Sequence, residues 1–162
     1  MLLILTASCN QAAPDDEYDN SVLADGTHFG YIAIAEDGTL LLNEAEWITF
    51  EQVERIEELQ LQDKMPDGYF IYDEEPNLYP LTLSPNVTYT FYDYDHQFVD
   101  NDADGKYTTK SADEFMAFYA DRAYQTDWYE EPFDPYHWAP YEPFWLDVKD
   151  GQVTSITLQL VL

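Results

Sequence analysis

The chain has 162 residues, 46% hydrophobic and 17% aromatic, and its 33 Asp and Glu against six Lys and Arg give a formal charge of −27. This length suits one domain with one core, and so many aromatics set the chain apart from disordered acidic sequences. The charge repels DNA and RNA phosphates and excludes nucleic acid as a partner. Carboxylates in such excess serve solubility, and where they crowd together they favour a divalent cation.

Cys9 is the one cysteine, so no intramolecular disulfide or thiolate metal cluster can form. It follows an apolar run, Met1 to Leu5, and the small residues Thr6-Ala7-Ser8. This resembles the end of a bacterial lipoprotein signal, in which the cysteine becomes the lipidated N-terminus. The match departs from that pattern at Thr6, where a large aliphatic is usual, and in having no basic residue before the apolar run. The resemblance implies a membrane partner through lipid on Cys9 and an extracytoplasmic, lipid-anchored location on a bacterial cell membrane. No run approaches the ~20 apolar residues of a membrane span. Residues 10–25 are polar and acidic without a period, which reads as a linker. Removing the five acids between Asp15 and Asp25 leaves 28 acids and six bases, so the domain itself stands at −22.

A single globular domain is expected over 26–162. His28 to Ala35 reads as a strand, Asp37-Gly38 as a hairpin turn and Thr39 to Trp47 as the returning strand. Thr49 with Gln52 forms a capping-box pattern ahead of a short helix bearing Val53, Ile56 and Leu59 on one stripe. Tyr69–Tyr72 and Leu78–Leu83 are further strands, Ser84-Pro85-Asn86 a turn, and Val87–Tyr92 a fifth strand. Ser111 and Glu114 cap a second helix with Phe115, Phe118 and Tyr119 on one face. Phe144–Val148 and Val153–Val161 close the chain as a hairpin about Asp150-Gly151. The sum is a mainly β domain of about seven strands with two short helices, either a small curled antiparallel sheet or an OB-like barrel.

The stretch that points to a chemistry is Asp100-Asn101-Asp102-Ala103-Asp104-Gly105. Asp100, Asp102 and Asp104 fill positions 1, 3 and 5 of a twelve-residue calcium loop, Gly105 fills position 6, and the Lys106 carbonyl would fill position 7. Position 12, where a bidentate Glu normally closes the shell, is Ser111; Asp113 and Glu114 follow two and three residues later. Asp93 and Asp95 stand just upstream as substitutes. Glu114 has a competing role in turning back to the Ser111 N–H, and Asp113 suits the positive end of a helix dipole. The expected cofactor is a weakly held Ca2+.

The second candidate is the Pro- and aromatic-rich stretch from Trp128 to Trp145. Trp128, Tyr136 and Trp138 are the residues expected to meet a ligand, an envelope glycan or an envelope protein, unless the rings plug one end of the barrel. His28, His96 and His137 have no zinc spacing. Carboxylate pairs are too numerous to single out a glycosidase pair, and no G-x-S-x-G, phosphate loop or free nucleophilic cysteine stands out.

Phe29-Gly30-Tyr31-Ile32, Glu46-Trp47-Ile48-Thr49, Tyr69-Phe70-Ile71-Tyr72, the Ser111–Phe115 cap and Asp150-Gly151-Gln152-Val153-Thr154-Ser155-Ile156 resemble pieces of a family of uncharacterised bacterial secreted proteins and lipoproteins. The resemblance spans most of 27–162 and implies a small β-rich domain without an established activity. The acidic loop and 128–143 depart from that family's shorter connections. The expectation is a non-enzymatic, lipid-anchored binding or structural domain; the alternative is an envelope glycan-binding protein or hydrolase using 128–145.

Overall fold

The computed structural model describes residues 22–35, 37–73, 78–100, 104–124 and 142–161. Cys9, Asp102, Trp128, Tyr136, His137 and Trp138 lie outside the described residues. The strands are β1 (Gly26–Ile34), β2 (Leu40–Glu44), β3 (Glu46–Thr49), β4 (Tyr69–Tyr72), β5 (Leu78–Pro80), β6 (Leu83–Tyr92), β7 (Lys106–Thr109), β8 (Phe144–Lys149) and β9 (Gln152–Leu158). Helix α1 (Val53–Glu58) falls between β3 and β4, and α2 (Ala112–Tyr124) between β7 and β8. The described residues are therefore mainly β with two helices.

Seven strands form one sheet in the order β5-β2-β1-β8-β9-β6-β7, and β3 pairs with β4 in a second. The sheet is mixed rather than antiparallel throughout, because β6 runs parallel to β9. It is curled but not hydrogen-bonded into a closed barrel. The curl is read from the two residues between β5 and β6. The Leu81 N–H donates to Leu40 O, and Thr82 O accepts from the Val153 N–H, both at 2.8 Å. One short step of chain thus touches both β2 and the start of β9, which are separated in the sheet by β1 and β8.

Three local departures from the expected pattern have physical causes. The strand expected over 39–47 breaks at Ala45, whose N–H donates to Phe29 O, and β3 leaves to pair with β4. Gly30 permits the close approach at this corner, since a Cβ there would lie 2.0 Å from Asn43 O. The Ser84–Asn86 turn is instead absorbed into β6 as a wide irregularity, with Leu83 opposite Val153 and Thr88 opposite Ser155. In β9 the partners of Asp147 and Val148 are Ser155 and Val153, so Thr154 is an extra residue. That bulge resets the alternation and turns both Val153 and Ile156 inward.

The main core joins Ile32, Leu42, Leu146 and Ile156 to the inner face of β6 (Val87, Tyr89, Phe91) and to Phe115, Phe118 and Tyr119 of α2. Ser111 caps α2, its Oγ accepting from the Glu114 N–H at 3.3 Å. Tyr89 stacks on Phe115 and Phe91 on Phe118, with centroids 4.7 and 4.2 Å apart. The Tyr119 hydroxyl donates to Ile32 O at 2.5 Å. A smaller core of Ile48, Ile56, Leu61 and Met65 lies under β3, β4 and α1. Of the stripe expected on α1, Ile56 is buried whereas Val53 is 58% exposed. The Gln52 side chain accepts from the Thr49 N–H at 2.6 Å, but helix begins only at Val53, so this bond closes the preceding turn. Arg55 pins the unit, bonding Glu46 at 2.8 Å and Glu58 at 2.7 Å with its guanidinium over the Tyr72 ring.

Packing begins before residue 26. Leu23 is buried in the main core, and the Asp25 carboxylate accepts from the Gly151 N–H at 3.1 Å.

Candidate functional site

The acidic loop is built outward from Asp93, at the end of β6. Its carboxylate is only 4% exposed and accepts three backbone bonds, from the N–H groups of Gln97 (2.9 Å), Phe98 (2.6 Å) and Val99 (3.0 Å). Burial pushes its pKa up, but the three N–H donors outweigh burial and hold it below the usual carboxylate value. The Asp93 N–H donates to Gly105 O at 2.7 Å, so Asp93 ties both ends of the loop. Gly105 takes the turn with φ +79°, a left-handed value suited to glycine. Beside Asp93 a small recess lined by Tyr92, Tyr94, Asp95, Gln97, Phe98 and Phe118 has room for water rather than an organic ligand.

The expected calcium ligands are distributed over three kinds of structure. Asp100 has an exposed side chain, and its carbonyl faces His96 Nδ1 at 3.2 Å. Asp104 uses one oxygen to accept from the Lys106 N–H at 3.0 Å. Lys106 opens β7, so positions 7 to 10 of the expected loop are strand: Lys106–Thr109 alternate and pair with the free edge of β6. Asp113 and Glu114 sit in the first turn of α2. Glu114 neither closes a capping box nor stands free, because its Oε2 accepts from the Tyr107 hydroxyl at 3.1 Å. The Ser111 N–H donates to Thr109 Oγ1 instead. Asp93, one of the upstream substitutes, is committed to the loop's own backbone. Among the described residues no three His, Cys, Asp or Glu side chains are grouped to hold a metal ion.

Trp145 belongs to a cluster that the sequence reading did not assemble. Its ring centroid lies 4.6 Å from Phe29, its register partner on β1, and 6.4 Å from Trp47, which stacks on Tyr69 at 4.4 Å. These rings spend their faces on one another and fasten β3 and β4 over the outer side of β1. Trp145 Nε1–H donates to Gln159 Oε1 at 2.9 Å.

Beyond Trp145 the outer face of β9, β6 and β7 carries a different chemistry. The inward set is Val153, Ile156, Val87, Tyr89 and Phe91, so Ser155, Thr157, Thr88, Thr90 and Thr108 point out. They lie side by side: Ser155 is opposite Thr88, Thr157 opposite Thr90, and Thr90 opposite Thr108, with the last two hydroxyls 3.0 Å apart. The row ends at Asp147, whose carboxylate accepts from Thr27 and Ser155 hydroxyls at 2.8 Å each. About one residue in five of the chain is acidic, yet β6, β7 and β9 contain no Asp or Glu. α2 reaches this part of the sheet through Tyr89, Phe91 and Phe144, all on the inner face.

No family model, curated protein or solved structure matches the chain. No helix among the described residues is long and apolar enough to cross a membrane.

Proposed function

We propose that the chain is a non-enzymatic binding domain of the bacterial cell envelope, held to the membrane by lipid on Cys9. The observation that supports the binding part is the hydroxyl-covered, acid-free outer face of β9, β6 and β7 in an otherwise strongly acidic chain. Three neighbouring strands, ten residues of β6, four of β7 and seven of β9, without one carboxylate serve a contact surface better than they serve solubility. The buried polar groups point the same way: Asp93 holds its loop, Asn43 bonds Asp73 at 2.6 Å, and Tyr119 bonds Ile32. Each builds structure. Anchoring rests on the apolar run before Cys9 and is tested by fractionating bacteria that express the full chain. Recovery with membranes, lost in Cys9→Ser, is expected; a cytosolic full chain, unchanged by that substitution, would sink the anchor.

A glycan is the second, more specific reading of the same face, because rows of hydroxyls that both donate and accept match the hydroxyls of a sugar. Electrophoresis through gels containing soluble polysaccharides should retard the wild type, and Thr90→Glu with Thr157→Glu should remove the retardation. Unretarded wild type in neutral and acidic glycans alike would leave a protein partner instead. A weak Ca2+ at Asp100, Asp102 and Asp104 completes the proposal. It predicts a higher melting temperature in millimolar calcium, abolished by Asp102→Ala with Asp104→Ala.

A further inference from the structure

We propose that His28 is a proton-operated latch fastening residues 22–25, the strap that leads into β1, onto the sheet. The imidazole has 13% side-chain exposure, and both ring nitrogens are engaged. Nδ1 lies 2.6 Å from Glu44 Oε1 on β2, and Nε2 lies 2.8 Å from the Ala24 carbonyl on the strap. A carbonyl and a carboxylate only accept, whereas a neutral imidazole has one N–H. Neither neutral tautomer serves both partners; the imidazolium does.

The charges around the ring leave Glu44 as its counter-ion. Asp25, on the strap, is turned to the Gly151 N–H. Asp147, on β8, is held by Thr27 and Ser155. Lys149 lies beside Asp25 rather than the ring, and the register partner of His28 on β8 is the apolar Leu146. Burial alone would push the imidazole pKa down, but Glu44 and the Ala24 carbonyl together raise it above the ordinary 6.5.

The strap carbonyl favours the imidazolium, so by reciprocity the imidazolium favours the docked strap by the same factor. With a raised folded pKa, this contribution is complete below about pH 6.5 and is lost as pH rises through the folded value. Above it, the charge-assisted bond to Ala24 weakens or breaks, leaving Leu23 and Asp25 to hold the strap. The latch is a property of the domain and stands whether or not Cys9 carries lipid.

The test uses nitrogen-15-labelled full chain, with the His28 ring titrated by NMR and strap amide exchange, corrected for intrinsic rates, followed from pH 5 to pH 8.5. His28 should titrate above the free-histidine value, and protection at Leu23–Gly26 should fall across that midpoint. Glu44→Gln should lower the midpoint. Leu23→Ser, which loosens the strap without touching the ring, should lower it too, with strap protection in the wild type changing about tenfold for each unit of that drop. A midpoint unmoved by Leu23→Ser, or equal strap protection on both sides of the wild-type midpoint, would overturn the proposal.

Discussion

Gly30→Ala tests the corner on which the sheet turns. The added methyl carbon would sit 2.0 Å from Asn43 O, 2.9 Å from Asn43 C and 3.0 Å from Glu44 Cα. All three are backbone atoms of a paired strand, so no side-chain rotation relieves the contact. Strands β1 and β2 would have to part by roughly an ångström at the Gly30–Glu44 pair, taking the Ala45-to-Phe29 bond with them. Overpacking a core typically costs ~1–3 kcal/mol, and displacement of backbone places this case at the upper end, ~3 kcal/mol. For a domain of this size each kcal/mol lowers the melting temperature by roughly 3–5 °C, so a fall of roughly 10–15 °C is expected by circular dichroism. Gly38→Ala is the control: its φ is +86° with nothing within 4 Å, so it carries only left-handed strain, ~1–2 kcal/mol. If Gly30→Ala melts within a few degrees of wild type, or no lower than Gly38→Ala, the close approach is not what shapes this corner.

Asp93→Ala strands three part-buried N–H groups and should cost ~2–4 kcal/mol, with Asp93→Asn intermediate, measured by urea unfolding. Because the Asp93 pKa is lowered on folding, its contribution is present above about pH 4 and is lost as pH falls through the folded value; the wild type should lose more stability there than Asp93→Asn does. Tyr119→Phe removes one buried donor and should cost ~0.5–1.5 kcal/mol, while Tyr119→Ala also opens a cavity and should cost ~3–5 kcal/mol. Burial holds the Tyr119 hydroxyl well above the ordinary tyrosine range, so ultraviolet titration should show it ionising only with alkaline unfolding. Arg55→Gln should speed amide exchange in β3 and β4 while leaving β8 and β9 unchanged; equal loosening of both sheets would mean that the two cores are not separately held.

The sequence was most legible where one element carries its own signal. The β1–β2 and β8–β9 hairpins, the Ser111 cap and the Phe115, Phe118 and Tyr119 face all follow from turn chemistry and periodicity. It was least legible where a distant partner decides. Lys106–Thr109 reads as the back half of a calcium loop, and only the free edge of β6 makes it a strand. Thr154 looks like one more alternating residue until β8 imposes a bulge. The break at Ala45 depends on a contact with Phe29, sixteen positions earlier. For the candidate site, the acids of the loop were visible, but the commitment of Asp93 and Glu114 to protein donors was not. The hydroxyl face could have been found by noting that Thr88, Thr90, Ser155 and Thr157 keep one parity opposite buried residues.

The same commitment of Asp93 limits what a cation could do. A calcium loop that is disordered without its ion becomes ordered along its whole length on binding. Here the first half is already fixed, because Gln97, Phe98 and Val99 donate to a buried carboxylate and the Asp93 N–H reaches Gly105 O. An ion at Asp100, Asp102 and Asp104 would therefore act on the second half alone, relieving repulsion among its carboxylates. Calcium should raise the melting temperature, while amide protection at Gln97–Val99 stays within about twofold of its calcium-free value. Hydrogen exchange with and without millimolar calcium decides the point. A large gain in protection at those three amides would mean that Asp93 does not hold the loop unaided, and that the ion belongs to its fold.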